Sequence, residues 1–350
     1  MTSTSPAFFA PVLERLRSDA AKYYGYPDVR LVPAQYDQRP FSHVLRIEVH
    51  KDASERPTAC LFAKVFKTDP ARMERMQQRV AKDYDTTLAI YERLQQHADL
   101  GVVPPVVCYP DLLTIVTEEV KGSTLLEHLT NRATWWRGAG ETDIERVLDN
   151  VGRWIHVFQD VGGSAEGGSA DQMREYIDHR LRRLVRLPKS GFDEAARTEV
   201  LGLVGSLSDA SESSEWSQVP VHSDMALGNI LVTSSGIVVL DFAMAKSGNR
   251  LQDVSRVFVQ LDLLNAKPFI RPSVIQKAKD ALLRGFDATV RDSQPMFRLM
   301  VLRHRLNHLI GLLDGDHRFA ERIYNAVLIR RHLRWIREAV AQGSSSARHA

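Results

Sequence analysis

The sequence predicts an α+β protein with two lobes, a small first lobe built on an antiparallel sheet and a larger, mostly helical second lobe. Residues 43–50 and 58–66 are rich in β-branched and aromatic residues and are separated by polar residues, which is typical of paired strands. Farther along the chain, apolar residues recur at helical spacing. We expect the first lobe to cover residues 1–121, the second to cover residues 122–342, and residues 343–350 to form a disordered tail.

The bulk composition excludes several classes of protein. The chain has 350 residues, of which 44% are hydrophobic and 25% charged, as is ordinary for a soluble protein. Its net charge of +3 does not call for a nucleic-acid partner, and no nucleic-acid-binding module is recognised. Cys60 and Cys108 form no CxxC pair, so we expect neither a disulfide framework nor a cysteine zinc site. Without a signal peptide or an apolar run of membrane-spanning length, we expect a cytoplasmic protein.

Further elements can be assigned in chain order. A helix is predicted at residues 71–96, where apolar residues recur at three- and four-residue spacing. Thr124 and Glu127 match the T-x-x-E capping box, which predicts the start of another helix. Residues 230–232 and 237–242 are short apolar runs on either side of the sequence TSSG, which indicates a β-hairpin.

The hairpin carries the residues with the clearest chemical potential. The segment "VHSDMALGNILV" contains His222, Asp224 and Asn229, and Asp241 follows the second strand. Asn229 enters one strand where Asp241 leaves the other, so we expect both at the open end of the hairpin. Their oxygen atoms suit Mg²⁺, and Asp224 is placed upstream as a general base. The alternative is a hairpin with solvated polar residues at its mouth; the combination H-x-D-x4-N, apolar run and Asp-Phe favours a site.

This segment resembles a known family. "HSDMALGNILV" followed by "GIVVLDFA" is similar to the catalytic and metal-binding segment of the protein-kinase-like fold, in its aminoglycoside/choline phosphotransferase branch. The usual form in that branch is H-G-D-x-x-x-x-N, followed by a strand that carries D-F or D-W. Protein kinases normally have Arg at position 223 and Lys at position 226, whereas this chain has Ser223 and Ala226. The resemblance is therefore to kinases of small molecules.

The resemblance implies a role for each polar residue of the hairpin. Asp224 is implied as the catalytic base, Asn229 and Asp241 as ligands of Mg²⁺, and His222 as a brace of the loop. Downstream, "GNRLQDVSR" is similar to the family's G-x-x-x-x-D-x-[AS], in which Asp253 would accept hydrogen bonds from loop N–H groups. The alternative for Asp253 is an acidic residue that interacts with a helix dipole.

The first lobe must then provide a lysine for the nucleotide phosphates. Lys64 lies inside the apolar run "LFAKVF", where a buried ammonium group needs a reason, and Lys67 at the end of the strand is the alternative. Phe62 shares the predicted strand face of Lys64 and adds bulk there. As the acidic partner of Lys64 we choose Asp83 over Asp85, both in the helix that follows.

The same resemblance predicts where a nucleotide is held. "LLTIVTEEVKG" is similar to the strand and hinge of the family, so backbone groups around Glu118 to Val120 are expected to contact adenine. The turn expected to cover the nucleotide, "QYDQRPFSHVL", contains no glycine, and Ser42 with nearby N–H groups is assigned that part. The implied cofactors are ATP and Mg²⁺, with GTP as the alternative nucleotide.

The only sequence feature that bears on the acceptor molecule is the positive charge of several predicted helices. Basic helices favour a neutral or anionic hydroxyl acceptor over a polycation, although solvated arginines explain the pattern too. We therefore predict an ATP-dependent kinase of a sugar, amino alcohol or antibiotic. The alternatives are a pseudokinase scaffold or a kinase of a lipid-linked or glycan acceptor with peripheral membrane contact. The oligomeric state is left open. The arginines of the helix before the catalytic loop are Arg174, Arg180, Arg182, Arg183 and Arg186.

Overall fold

The computed structural model describes residues 6–24, 29–51, 56–135, 141–161, 167–187, 190–315 and 319–346. Its contacts divide the chain into two units. The first consists of Met1–Ser123 and Leu231–Ala245, and the second of Thr124–Ile230 and Lys246–Ala350.

The strands and helices are numbered in chain order. The strands are β1 (Val29–Gln38), β2 (Ser42–Lys51), β3 (Ala59–Phe66), β4 (Leu100–Val102), β5 (Pro105–Tyr109), β6 (Thr114–Glu118), β7 (Ser123–Thr124), β8 (Gln218–Val221), β9 (Ile230–Val232), β10 (Ile237–Val239) and β11 (Lys246–Asn249). The helices are α1 (Ala10–Tyr24), α2 (Met73–Leu94), α3 (Leu125–Arg132), α4 (Glu141–Gln159), α5 (Ala170–Arg186), α6 (Glu194–Asp209), α7 (Gln252–Leu264), α8 (Pro272–Phe286), α9 (Pro295–Asp314) and α10 (Phe319–Ser346).

The first unit is built on an antiparallel sheet in the order β1-β2-β3-β6-β5. Side chains alternate across its strands, because successive residues of a strand point to opposite faces. In β3, Leu61 and Ala63 are buried in the core, whereas Phe62 and Lys64 occupy the other face, as predicted for those two residues. Helix α1 covers the core face with Leu13 and Leu16. The predicted antiparallel first lobe is confirmed.

The division into units differs in one respect from the predicted lobes. The first unit runs to Ser123 and also takes in Leu231–Ala245, a segment that the sequence placed with the helical lobe. The reason lies in strand pairing: β10 pairs in parallel with β4, so that Ile237 lies opposite Leu100. The predicted hairpin is observed, with β9 beside β10 in the sheet order β4-β10-β9-β7.

The second unit is helical, with a small sheet formed by β8 and β11. Helices α4 and α8 pack so closely that glycine is needed where they meet. A Cβ atom on Gly152 would lie 2.2 Å from the carbonyl oxygen of Leu282, and one on Gly285 would lie 2.1 Å from that of Asp149. Trp154 of α4 is fully buried in the same region. The predicted capping box at the start of α3 is present, with Thr124 and Glu127 hydrogen-bonded reciprocally.

The predicted disordered tail is partly wrong. Helix α10 continues through Ser346, and a Cβ atom on Gly343 would lie 2.9 Å from a methyl group of Leu203 in α6. The small residues at the end of the chain suggested disorder, but the helix continues into them, and Gly343 packs against α6. Residues 347–350 of the predicted tail lie outside the described residues. Among the described residues, no helix is long and apolar enough to cross a membrane.

Candidate active site

The loop between β8 and β9 is anchored by a buried carboxylate on α7. Asp253, only 1% exposed, accepts hydrogen bonds from the N–H groups of His222 at 2.6 Å and Ser223 at 3.0 Å. Burial raises the pKa of Asp253, while His222 and the two N–H donors oppose that rise. The role predicted for Asp253, an acceptor for loop N–H groups, is confirmed.

His222 holds the loop from inside. Its side chain is fully buried, and its ring lies edge-on to Trp154 with 6.4 Å between ring centroids. The Nδ1 atom of His222 accepts a hydrogen bond from the N–H of Asp224 at 3.3 Å. These contacts fix the backbone on which Asp224 stands and leave the imidazole away from solvent.

Each oxygen atom of the Asp224 carboxylate accepts a hydrogen bond that orients the side chain. Arg256 of α7 donates to Oδ1 of Asp224 at 2.5 Å and also to the carbonyl oxygen of Ser223. The amide of Asn229 donates to Oδ2 of Asp224 at 3.3 Å and to its carbonyl oxygen at 2.9 Å. The Asp224 side chain keeps 39% of its surface exposed. The structure therefore brings Asp224 and Asn229 together and presents a held but accessible carboxylate.

Helix α7 supplies two contacts that the sequence reasoning missed. Besides Arg256, Gln260 accepts from the N–H of Leu227 at 3.1 Å and donates to the carbonyl oxygen of Met225 at 3.0 Å. Residues 253, 256 and 260 lie on one face of the helix, because residues three and four apart are neighbours on a helix surface. That spacing from Asp253 was the available sequence signal for Arg256 and Gln260.

In the first unit, Lys64 and Asp241 form an ion pair. The Nζ atom of Lys64 lies 2.9 Å from Oδ1 of Asp241 and 4.7 Å from the centre of the Phe66 ring. The alternative, Lys67, is engaged elsewhere, since its ammonium donates to the carbonyl oxygen of Arg39 at the tip of the β1–β2 hairpin. Lys64 is thus the lysine of this strand that meets a candidate metal-binding carboxylate.

Asp83 lies on α2 in the electrostatic field of this pair. It is 7% exposed, whereas Asp85 is exposed. Burial raises the pKa of Asp83 to about 7; Lys64 opposes the rise, Asp241 adds to it, and Arg79 opposes it. The role of Asp83 as acidic partner of Lys64 stays a prediction.

Arg79 of α2 is a further contact that the sequence reasoning missed. Its guanidinium donates to the carbonyl oxygen of Ala243 at 3.0 Å and contacts the sulfur of Met244. These residues follow directly after Asp241 and the buried Phe242. Arg79 therefore ties the segment behind Asp241 to the helix that carries Asp83.

The residues predicted to hold the nucleotide all lie in the first unit. Ser42 is buried at the start of β2, and its carbonyl oxygen accepts from the N–H of Arg39 at the hairpin tip. Glu118 is exposed at the end of β6, with its N–H bonded to the carbonyl oxygen of Pro104. Val120 follows in the partly exposed segment after β6. These positions and their adenine contacts stay predictions.

The donors available for a metal ion are oxygen atoms. Asn229 uses its amide NH₂ toward Asp224, so the amide oxygen is the donor that it offers. Asp241 offers a carboxylate that is 36% exposed. Both suit a hard cation such as Mg²⁺. Within the described ranges, no three His, Cys, Asp or Glu side chains form a cluster that could hold a metal ion. The metal-binding roles of Asn229 and Asp241 stay predictions.

Comparison with known proteins identifies the class. The model of the phosphotransferase enzyme family (APH) matches residues 57–274, more than half of the chain. The chain therefore belongs to this family, and the resemblance seen in the catalytic segment is confirmed. No curated protein sequence matches the chain.

Solved structures agree on the fold. Choline kinase from Cryptosporidium parvum Iowa II superposes with a TM-score of 0.55 at 12% identity, over 95% of this chain and 96% of that chain. A choline/ethanolamine kinase family protein from Mesorhizobium loti gives 0.51 at 15% identity, over 95% and 98%. The ternary complex of APH(2")-IIa with streptomycin and ATP gives 0.52 at 12% identity, over 94% and 97%. The predicted protein-kinase-like fold is confirmed.

Proposed function

We propose that this chain transfers the γ-phosphoryl group of ATP to a hydroxyl group of a small molecule, such as a sugar, an amino alcohol or an antibiotic. The observation that carries this proposal is the Asp224 carboxylate, oriented by Arg256 and Asn229 yet accessible to solvent. Membership of the phosphotransferase family and a similar fold in an ATP complex of APH(2")-IIa support it. GTP is the alternative nucleotide.

Asp224 acts as the general base. In the proposed step, the acceptor hydroxyl gives its proton to the Asp224 carboxylate while its oxygen forms a bond to the γ-phosphorus. The bond between the γ-phosphorus and the bridging oxygen breaks, and ADP leaves with that electron pair. Because phosphoryl transfer depends mainly on positioning and charge neutralisation, the hydrogen bonds that orient Asp224 are the main contribution of the loop.

Lys64 and Asp241 serve the phosphates. The ammonium group of Lys64 would bind the phosphate oxygens of the nucleotide. Its ion pair with Asp241 keeps it in position. Mg²⁺, bound through oxygen atoms of Asn229 and Asp241, would neutralise charge on the nucleotide. Backbone groups from Glu118 to Val120 are assigned to adenine, and Ser42 with its neighbouring N–H groups to the cover of the nucleotide.

The test is Mg²⁺-dependent ATP consumption across a panel of hydroxyl acceptors. We expect turnover with the wild-type chain and a loss of about 10²-fold or more in Asp224→Ala, the usual contribution of a general base. Asp209→Asn, at an exposed position at the end of α6, is the matched control and should keep full activity. Unchanged activity in Asp224→Ala would remove Asp224 from its role, and a folded chain that binds no nucleotide would favour a scaffold instead.

A further inference from the structure

The second unit contains a cavity of about 180 Å³, and one of its lining residues, Gln252, hydrogen-bonds Ser223 in the loop that carries Asp224. Side chains at the start of α5, the whole of β11 and the ring of Trp216 contribute to its walls, together with Gln252 and Arg303. The polar lining residues offer amides, hydroxyls and cations, and none of the described lining residues carries a carboxylate. The shape admits a small molecule, and the chemistry of the lining indicates which kind.

Two arginines converge on one ring in the wall of this cavity. The guanidinium groups of Arg180 and Arg303 each lie 4.9 Å from the centre of the Tyr176 ring. Asn307 donates to the Tyr176 hydroxyl at 2.8 Å and holds the ring in place. Burial raises the pKa of the Tyr176 hydroxyl, but Arg303, Arg180 and the hydrogen bond with Asn307 together outweigh burial, and the net shift is downward. The region is therefore electropositive.

The positive charge of these two arginines is not compensated within the described residues. Neither Arg180 nor Arg303 forms an ion pair there with a carboxylate, and the Nε atom of each is buried without a hydrogen-bond partner. By contrast, Arg182 and Arg183 of the same helix α5 are paired with Asp178 and Asp314. Partly desolvated like charges without an anion are costly, and an anionic ligand would offset that cost.

A chain of hydrogen bonds joins this cavity to the candidate base. Arg303 donates to Oε1 of Gln252 at 2.5 Å, and Nε2 of Gln252 donates to the hydroxyl of Ser223 at 3.0 Å. Ser223 directly precedes Asp224 in the loop. Gly248 leaves room for this arrangement, because a Cβ atom there would lie 2.9 Å from Oε1 of Gln252 and 2.6 Å from Val221.

We propose that this cavity is the acceptor subsite and that the acceptor carries an anionic group, a carboxylate, phosphate or sulfate, on the same molecule as its hydroxyl. Arg303, which lines the cavity, binds the anion; Arg180, at the Tyr176 ring, adds a second positive charge; and the ring of Trp216 packs against the carbon skeleton. The assignment rests on the proposed phosphotransferase function and narrows it. The predicted acceptor, neutral or anionic, becomes an anionic one, with Arg303 as the binding cation and Arg180 as a second positive charge nearby.

The first test is calorimetric titration of the full chain with inorganic phosphate, without nucleotide. We expect Arg303→Gln to weaken phosphate binding by about tenfold or more, since a charge-assisted hydrogen bond is lost. Arg298→Gln on the same helix α9, where Arg298 is bonded to Gln342, is the matched control and should bind as the wild type does. Arg180→Gln provides an independent variant, and circular dichroism verifies that each variant is folded.

Lys64→Met separates this site from phosphate binding in the first unit. Phosphate binding that survives in Lys64→Met and is weakened in Arg303→Gln supports the subsite. Binding that is unchanged in both Arg303→Gln and Arg180→Gln, or lost only in Lys64→Met, overturns it. With an acceptor in hand, Arg303→Gln should raise the KM for the anionic acceptor and leave the KM for ATP unchanged. Absence of ATP turnover in the wild-type chain is a different result, which counts against the proposed function.

Discussion

At the scale of single residues, the candidate site contains two side chains on left-handed backbone. Ser223 has φ of 63° and Asp241 has φ of 67°. Non-glycine residues in this region carry a cost of about 1–3 kcal/mol and tend to occur where function needs a particular geometry. Position 223 is also where the H-G-D form of the family has glycine, the residue that adopts left-handed backbone without strain.

The positive φ of Ser223 leads to a prediction about the stability of variants at this position. Ser223→Val should lower the free energy of unfolding by about 2 kcal/mol, because a β-branched residue is poorly accommodated at positive φ. Ser223→Gly should change it by less than about 1 kcal/mol, since relief of strain offsets the lost hydrogen bond with Gln252. Urea denaturation measures both variants. Equal destabilisation by Val and Gly would show that the backbone conformation is not the cause.

For the two aspartates of α2, Asp83 and Asp85, the sequence could not predict which one is buried. Asp83 and Asp85 lie two positions apart in the sequence, and either could serve as the acidic partner of a lysine. Helical spacing turns them to different sides of α2, and packing buries Asp83 and leaves Asp85 exposed. The raised pKa of Asp83 follows from that burial, which depends on neighbours distant in the chain.

At the scale of elements, α7 supports the loop between β8 and β9 that carries Asp224. One helix face carries Asp253, Arg256 and Gln260, and each of them hydrogen-bonds a different part of the loop. Support from a rigid helix is an effective way to hold a base in one orientation. In the proposed mechanism, Arg256 is a positioning residue, because it acts through Asp224.

The role of Arg256 can be read from kinetics. Arg256→Met should lower kcat by about 10- to 100-fold through misorientation of Asp224, with the KM for ATP unchanged. Arg256→Lys should recover part of the loss, because it keeps one cationic donor. Arg250→Met removes an arginine that is paired with Asp287 and serves as the control for loss of a nearby ion pair. A loss of activity that follows the loss of stability equally in both variants would contradict a positioning role.

Much of the element layout was predictable from local signals. The strands at residues 43–50 and 58–66, the hairpin after Asn229 and the capping box at Thr124 were all found, because each depends on alternation or short spacing. The assignment of residues 231–245 to the helical lobe was wrong. The reason is that β10 pairs with β4, more than a hundred residues earlier in the chain. Local periodicity cannot predict which distant strand a strand pairs with.

At the scale of the whole molecule, buried histidines link the stability of the helical unit to pH. Burial, aided by the cations of Arg303 and Arg256, lowers the pKa of His304 to about 3. Burial and nearby Arg305 lower the pKa of His332 to about 3 as well. Each imidazole is therefore neutral in the folded chain at pH values where the unfolded chain takes up a proton.

The sign of the resulting pH dependence follows directly. Between pH 6.5 and pH 3 the unfolded chain binds more protons than the folded one, so the free energy of unfolding should fall as pH falls, by up to about 1.4 kcal/mol per pH unit for each histidine. Urea denaturation at pH 7 and at pH 4.5 measures this. His332→Gln should reduce the fall, whereas His179→Gln, at an exposed position, should leave it unchanged. Equal falls in both variants would exclude His332 as a source.

The sequence by itself determined the α+β class, the protein-kinase-like fold and the phosphotransferase family, because these are written in residues close together in the chain: alternating strands, helical spacing, and the run from His222 to Asp241. Only the tertiary structure decided which charged groups meet. Asp224 is held by an arginine 32 positions away, Lys64 is paired with Asp241, and arginines of α5 and α9 meet at the ring of Tyr176 in the cavity wall. The physical reason is that such contacts depend on helices and strands packing across long sequence separations, which local patterns do not record.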